Sequence, residues 1–276
     1  MDPSCFRIRY YLTKMNTLKT IALLTLLLLS GKAHAQLTTF NPSAIGFLNT
    51  GYSATLTLDN NLYQSGVFSS LTANIGPFTI NGSAVTVAGA TAAAVKDTIA
   101  DTQLWFCMDP GQYIYYNSST LSYTFASGSN YNAFNKFEDP NFNGTGGLTS
   151  TEYASLQRLF TNYYGDAVKS LTNDAYKKTA AALQLAIWEV VNEKSSLTGN
   201  LSSGQFSVSN IKYNGVADNT GLFGLATTML GSAQTQAFTG TLDFLLDGSQ
   251  TVSGNLKATQ DLLGWDPPDS QIPEIG

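Results

Sequence analysis

The sequence predicts an α+β protein in which an antiparallel β-sandwich or barrel-like core carries a helical subdomain inserted between strands. Segments with alternating apolar and polar residues fill the first half of the chain, amphipathic helical segments follow, and strand-like segments come after them. Strands and helices that occur in separate blocks favour α+β over alternating β-α units. We expect one domain over residues 36–265, with the helical subdomain at about residues 148–195 and a proline-rich tail at residues 266–276.

The N-terminal 35 residues have the features of a secretory signal peptide. Lys14 and Lys19 precede an apolar run of nine residues at positions 21–29, and the small-X-small pattern AHA follows it. The run is far shorter than the ~20 apolar residues of a membrane-spanning helix. Residues 1–14 have the character of upstream read-through, with Met15 as a candidate initiator. We therefore expect a secreted or cell-surface protein that has no membrane span after the signal is removed.

Loss of the signal removes the only histidine, His34, and one of the two cysteines, Cys5. A mature chain without histidine excludes Ser-His-Asp and Cys-His catalytic groups and a histidine-ligated zinc site. Cys107 is then the sole cysteine, so a disulfide within the chain is excluded. Three interpretations remain for Cys107: a buried inert thiol, an intermolecular disulfide, or a thiol used in other covalent chemistry.

The mature chain is acidic. Five of the 14 Lys and Arg and one of the 19 Asp and Glu lie in residues 1–35, which leaves nine basic and eighteen acidic residues and a formal charge of −9. The acidic residues are dispersed, which is typical of a solvated surface. This balance disfavours nucleic acid as a partner.

The first strand region runs from Thr38 to about Tyr123. Alternation is clear in the stretches SATLTLD, FTINGSAVTVAG and QYIYYNSSTLSYTF, which predict short antiparallel strands. Residues 91–102 favour one or two helical turns before the strand LWFCM. Residues 130–147 are rich in Asn, Gly and Phe and predict a long loop.

Three helices are predicted after this loop. Thr149 or Ser150 caps the first, Glu152 lies in its first turn, and four apolar residues share one face: Leu156, Leu159, Phe160 and Tyr163. Thr172 or Asn173 caps the second, which runs to about Lys194. Asn219–Ala237 predicts a third, and the stretches QFSVSNIKY, GTLDFLLDG and ATQDLLGW predict strands around it.

The second helix contains a polar residue in an apolar setting. Its segment AAALQLAIWEVV places Gln184 on a face with Ile187, Trp188 and Val191. Burial of that amide without a partner would cost roughly 2 kcal/mol or more. Cys107, in the predicted strand LWFCM, is a candidate partner if the helix packs across the end of that strand. The Cys107 sulfur would then attack the amide carbon of Gln184, ammonia would leave, and a thioester would join the two side chains.

The motifs WFCMD (residues 105–109) and LQLAIW (residues 183–188) resemble the paired signature of bacterial surface thioester domains. The resemblance implies an internal Cys107–Gln184 thioester in a β-rich fold with a helical subdomain, carried by an exported adhesin that bonds covalently to surface amines. AIWEVV also resembles versions in exported proteins with a C-terminal Pro-Glu-Pro sorting signal. The terminal IPEIG is faintly similar to that signal but lacks its second proline, membrane helix and basic end.

Residue chemistry fits a thioester, because this electrophile must be shielded from water. Four apolar residues are candidates for the shielding shell: Trp105, Phe106, Ile187 and Trp188. The expected partner is an amine of a surface or matrix protein, such as a lysine or a polyamine-like nucleophile. Such a protein acts once as a covalent tether, so we expect neither a turnover enzyme nor a cofactor.

Simpler alternatives remain open. In the first, Gln184 only hydrogen-bonds a core backbone group and Cys107 is a small buried hydrophobe. A noncovalent carbohydrate- or matrix-binding module would use a stacking surface of Tyr113, Tyr115, Tyr116 and Tyr123.

A glycoside hydrolase that needs only carboxylates would draw on Asp109, Glu138, Asp139 and Glu189, although Glu189 is equally an exposed rim position of its helix. A calcium site would draw on Asp109, Asp139, Asp218, Asp243 and Asp247, whose spacing matches no EF-hand loop, so no metal is expected.

Overall fold

Antiparallel sheets and α-helices make up the part of the chain that the structure, a computed structural model, describes. The described residues are 36–40, 45–58, 70–80, 85–87, 103–108, 110, 121–127, 148–193, 199–218, 221–247 and 262–266. The α+β prediction is confirmed, because the strands form two antiparallel sheets, two α-helices follow the first eight strands, and a third α-helix lies between later strands.

Twelve strands are described within these ranges. In chain order they are β1 (Gln36–Phe40), β2 (Ile45–Phe47), β3 (Tyr52–Leu58), β4 (Ser70–Ile75), β5 (Phe78–Ile80), β6 (Val85–Val87), β7 (Leu104–Cys107), β8 (Leu121–Ser127), β9 (Phe206–Tyr213), β10 (Val216–Ala217), β11 (Thr241–Asp247) and β12 (Leu262–Asp266). Eight of them form one sheet in the order β2-β5-β7-β12-β11-β8-β1-β6, and four form a second sheet in the order β10-β9-β3-β4. The strand β7 therefore lies inside the larger sheet, between β5 and β12.

The alternating stretches form strands as predicted. In β3, buried side chains alternate with partly or fully exposed ones along YSATLTL, which is the pattern of a strand with one face on the core. FTINGSAVTVAG contains the two strands β5 and β6. The predicted helical turns at residues 91–102, the first part of QYIYYNSSTLSYTF and the loop at residues 130–147 lie outside the described residues.

The first helix, α1 (Ser150–Val168), begins at the predicted cap. The Thr149 hydroxyl accepts a hydrogen bond from the Glu152 N–H at 3.2 Å, and the Glu152 carboxylate accepts one from the Thr149 N–H at 2.5 Å. This capping box satisfies two N–H groups that the helix itself leaves open. The predicted apolar face is correct except at its end, where Tyr164 is buried and Tyr163 is only partly buried.

The second helix, α2 (Lys177–Asn192), follows a short 3-10 turn at Asp174–Tyr176 whose cap is the Asn173 side chain. Every residue from Ala180 to Asn192 is buried. The helix packs against α1, against the third helix α3 (Leu222–Thr235), and against strands of both sheets, β7 in one and β4 and β9 in the other. It has no solvent face, which explains why its sequence is apolar nearly all round.

The C-terminal elements match the predicted order. The helix α3 lies within the predicted segment, and β9, β11 and β12 lie within or overlap the three predicted strand stretches. None of the three α-helices in the described part of the chain combines the length and apolarity needed to span a bilayer. The shared core joins large side chains of the sheets, including Phe206 and Phe244, to those of the helices, including Phe160 and Trp188.

Candidate functional site

Cys107 is the last residue of β7, a strand that is buried along its whole length. Leu104, Trp105, Phe106 and Cys107 each expose 1% of their surface or less. A strand with neighbours on both edges and packing on both faces requires such a continuous apolar run. The thiol of Cys107 is therefore held inside the protein at the end of a central strand.

Gln184 lies next to Cys107 in three dimensions. Its side-chain Oε1 accepts a hydrogen bond from the Cys107 N–H at 2.9 Å, and its Nε2 donates one to the Cys107 carbonyl oxygen at 2.8 Å. Gln184 is fully buried and Cys107 is 1% exposed. The structure thus brings together the two residues that the sequence analysis paired, and it gives the buried amide a partner for both its donor and its acceptor.

The Gln184 carboxamide occupies an edge of β7 that β5 leaves open. Cys107 is opposite Leu262 of β12, yet its backbone groups bond Gln184, so they point toward the other edge of β7, the one shared with β5. On that edge β5 begins at Phe78, which pairs with Trp105. The amide therefore takes a place that residues before Phe78 would occupy if β5 extended further, and its two hydrogen bonds fix the position of α2 along β7.

The four residues predicted to shield the pair are all in the core. Phe106 contacts α1, with ring centroids 5.6 Å from Phe160 and 6.5 Å from Tyr164. Trp188 faces the second sheet, with its ring 6.4 Å from Phe206. Trp105 and Ile187 are fully buried. A bond between Cys107 and Gln184 would consequently lie in the buried interior of the protein.

Trp105 is held by a close approach to β12. The register that pairs Phe106 with Leu263 places Trp105 beside Gly264, and a Cβ on that glycine would lie 2.8 to 3.0 Å from three atoms of the six-membered ring of the indole. Only glycine leaves room for the ring there. The role of Gly264 was not predictable from the sequence, because a lone glycine in a strand has no signal that identifies its neighbour.

Tyr164 is a second residue that the sequence analysis did not assign to this region. Its hydroxyl accepts a hydrogen bond from the Leu104 N–H at 2.9 Å and donates to the Leu104 carbonyl oxygen at 3.3 Å. Leu104 and Cys107 are three residues apart, so their backbone groups point to opposite edges of β7. Tyr164 and Gln184 thus complete the hydrogen bonding of one short strand from two helices.

Glu189 is fully buried on α2, and the prediction that it occupies an exposed rim position of this helix is wrong. Among the described residues, neither of its carboxylate oxygens has a hydrogen-bond partner. Burial, together with the smaller effect of the charge of Glu193 one turn later, raises the pKa of Glu189 to about 8. The prediction failed because α2 is packed on every side, which its own sequence does not reveal at a single position.

The residues of the alternative functions are mostly outside the described part of the chain. This holds for Asp109, Glu138, Asp139, Tyr113, Tyr115 and Tyr116. Tyr123 is fully buried and Asp243 is 3% exposed, so neither side chain is on the surface. The Asp218 carboxylate accepts a hydrogen bond from the Gly221 N–H at 3.3 Å, and Asp247 ends β11. In the ranges that the structure describes, no three His, Cys, Asp or Glu residues form a group able to hold a metal ion.

Comparison with known proteins gives weak likenesses only. No protein-family model matches the chain, and no curated protein matches it. Among solved structures, the pilus-presented adhesin Cpa is similar at 16% identity with a TM-score of 0.39, over 79% of this chain and 48% of the adhesin. The chain therefore spans about half of that adhesin's length.

A second similar structure is the N-terminal thioester domain of a surface protein from Clostridium perfringens. It has 12% identity and a TM-score of 0.34, over 78% of this chain and 99% of the domain. Both TM-scores are too low to assign a fold or a function to this chain.

Proposed function

We propose that this protein is an exported thioester domain that attaches covalently, once, to an amine on a target surface. The contact between the Gln184 carboxamide and the Cys107 backbone supports this proposal. It holds the amide carbon next to the residue that carries the thiol, in a site closed to water. Proximity of this kind lowers the barrier of an otherwise slow reaction between a thiol and an amide.

The bond-forming step uses only groups of this pair. The sulfur of Cys107 attacks the amide carbon of Gln184, the carbon–nitrogen bond breaks, and the thiol proton leaves with the departing ammonia. The Cys107 N–H already donates to Oε1, the oxygen on which negative charge develops during attack. A backbone N–H in that position stabilises the tetrahedral intermediate.

The attachment step consumes the thioester. An amine nitrogen attacks the same carbon, the carbon–sulfur bond breaks, and the amine proton passes to the released thiolate. The product is an amide that joins Gln184 to the partner, and a lysine or a polyamine-like amine meets this requirement. The protein is not regenerated, so the reaction is a single event without turnover and needs no cofactor.

Intact-mass measurement of the purified mature protein tests the proposal. We expect the wild type to be lighter than its sequence mass by one ammonia and to gain one methylamine on treatment with that amine. Cys107→Ala and Gln184→Glu should have full mass and form no adduct, because one lacks the thiol and the other lacks an amide to expel.

A wild type at full mass, without an adduct, would disprove the proposal. In that case, binding to a glycan array that is unchanged in Cys107→Ala would favour the noncovalent module. Released reducing sugar would favour a hydrolase.

A further inference from the structure

Two of the three tryptophans have a buried indole N–H without a hydrogen-bond partner among the described residues. They are Trp105 and Trp188, whereas the third, Trp265, is 2% exposed and has no such unpartnered atom. A buried donor without an acceptor costs about 1 to 3 kcal/mol, so each of these N–H groups requires an explanation. Trp105 is two residues before Cys107, and Trp188 is one helical turn after Gln184.

The indole of Trp105 is oriented by Gly264. The atoms that approach Gly264 are Cε3, Cζ3 and Cη2, which form the edge of the ring farthest from Nε1. This edge lies toward β12, so the N–H points away from β12. The Gln184 carboxamide approaches β7 from the opposite edge, the one shared with β5. The unpartnered N–H of Trp105 therefore lies on the side of the indole away from Gly264, and Gln184 bonds β7 at the edge away from β12.

Trp105 and Cys107 also share a face of β7, because side chains two residues apart in a strand point the same way. A bond from the Cys107 sulfur to the amide carbon must draw that carbon out of the plane of the sheet, onto the face where the sulfur lies. The carbonyl oxygen of the thioester then moves onto the face that carries the indole. Trp188 differs, since its ring packs on Phe206 of the second sheet.

We propose that the indole N–H of Trp105 donates a hydrogen bond to the carbonyl oxygen of the Cys107–Gln184 thioester. This inference rests on the proposed function. The Trp105 N–H would join the Cys107 N–H as a second donor to the acyl oxygen. Two donors stabilise the negative charge on that oxygen when sulfur attacks the amide and again when an amine attacks the thioester. Trp105 thereby activates the acyl group as well as shielding it.

Infrared spectroscopy on protein labelled with ¹³C-glutamine tests this role. The thioester carbonyl band is isolated as the difference between wild type and Cys107→Ala. In Trp105→Phe, which keeps an apolar ring but removes the N–H, we expect the band to shift to higher wavenumber. The methylamine reaction should become slower by on the order of 10²-fold, the usual effect of losing one such donor. Trp188→Phe is the matched control, and we expect its band to stay at the wild-type position.

A measurement on the unmutated ring covers the case in which Trp105→Phe does not fold. In ¹⁵N-tryptophan-labelled protein, the Trp105 indole proton should resonate downfield in the wild type and move upfield in Cys107→Ala, while the Trp265 signal stays in place. This inference alone would be disproved by a thioester band that does not shift in folded Trp105→Phe, or by a Trp105 indole resonance that has the same position in Cys107→Ala as in the wild type. A wild type at full mass would disprove it together with the proposed function.

Discussion

The Gln184 side chain replaces a peptide group at the edge of β7, where it bonds both the N–H and the carbonyl of Cys107. This relationship satisfies a buried amide completely and so accounts for the polar residue in an apolar helix without any covalent step. The same contact is the arrangement that a thiol would need to reach the amide carbon. Stability and reactivity at Gln184 must therefore be measured separately.

The structural role of Gln184 is best measured in a Cys107→Ala background, where no thioester forms and the backbone partner is retained. There we expect Gln184→Leu to lower the free energy of unfolding by about 2 to 5 kcal/mol, because two buried backbone groups of residue 107 lose their partners. Urea denaturation gives this value. Gln157→Leu is the control, since among the described residues the Gln157 side chain makes one hydrogen bond, to the Gly240 carbonyl at 3.2 Å, and a loss of about 1 kcal/mol is expected. Equal losses at the two positions would contradict the role of Gln184 at the strand edge.

Glu189 predicts a pH dependence of stability. Its pKa is raised from 4.5 to about 8 in the folded protein, so the folded state holds a proton that the unfolded chain releases. The associated stability is fully present below about pH 4.5 and is lost as pH rises toward 8, by on the order of 3 kcal/mol at pH 7.

Glu189→Gln should remove this fall in stability and raise the melting temperature at pH 7 to 8, as measured by thermal denaturation from pH 5 to 8.5. Asp166→Asn, a change at an exposed residue of α1 that pairs with Lys169, serves as the control and should leave the profile unchanged. A wild-type profile that is flat between pH 5 and 8 would contradict the raised pKa.

The contact of Trp105 with Gly264 predicts a steric cost. We expect Gly264→Ala to destabilise the protein by about 1 to 3 kcal/mol, because the added methyl group meets a buried ring that has no room to move. Gly231→Ala on α3 is a matched control, since nothing lies within 4 Å of the added Cβ there and alanine favours the helix. Combining Gly264→Ala with Trp105→Leu should cost less than the sum of the two changes. Additive costs in this double-mutant cycle would show that the two residues do not contact each other.

The Tyr164 hydroxyl predicts a stability difference between neighbouring tyrosines of α1. Tyr164→Phe removes the only side-chain group seen to bond the Leu104 backbone in the described part of the chain, and we expect a loss of about 1 to 3 kcal/mol. Tyr163→Phe removes a hydrogen bond to the Ser232 hydroxyl in a partly exposed position, so a smaller loss is expected. Denaturation of both variants in parallel provides the comparison, and a larger loss for Tyr163→Phe would reverse the prediction.

The local features of this protein were predictable from the sequence. The cap at Thr149 and the alternation of β3 depend on neighbours in the chain, and the structure places both where the pattern indicated; FTINGSAVTVAG also forms strands. The burial of Cys107 and Gln184 also followed from their apolar surroundings. The pairing of these two residues was a hypothesis from residue chemistry, strengthened by a family resemblance, since neither motif alone fixes where the other packs.

Contacts between distant segments were decided only by tertiary structure. The sequence did not reveal that Glu189 is buried, that Gly264 makes room for the Trp105 ring, or that Tyr164 bonds the backbone of Leu104. Each depends on how α2, α1 and β12 pack around β7, and packing is set by the sum of many apolar contacts that no single position encodes. The sequence by itself determined the α+β class and the start of the first helix, and it predicts an exported chain with one mature cysteine. Only the folded chain decided that the backbone of this cysteine meets the amide of Gln184, because burial forces a polar group to find its partner wherever the packing places one.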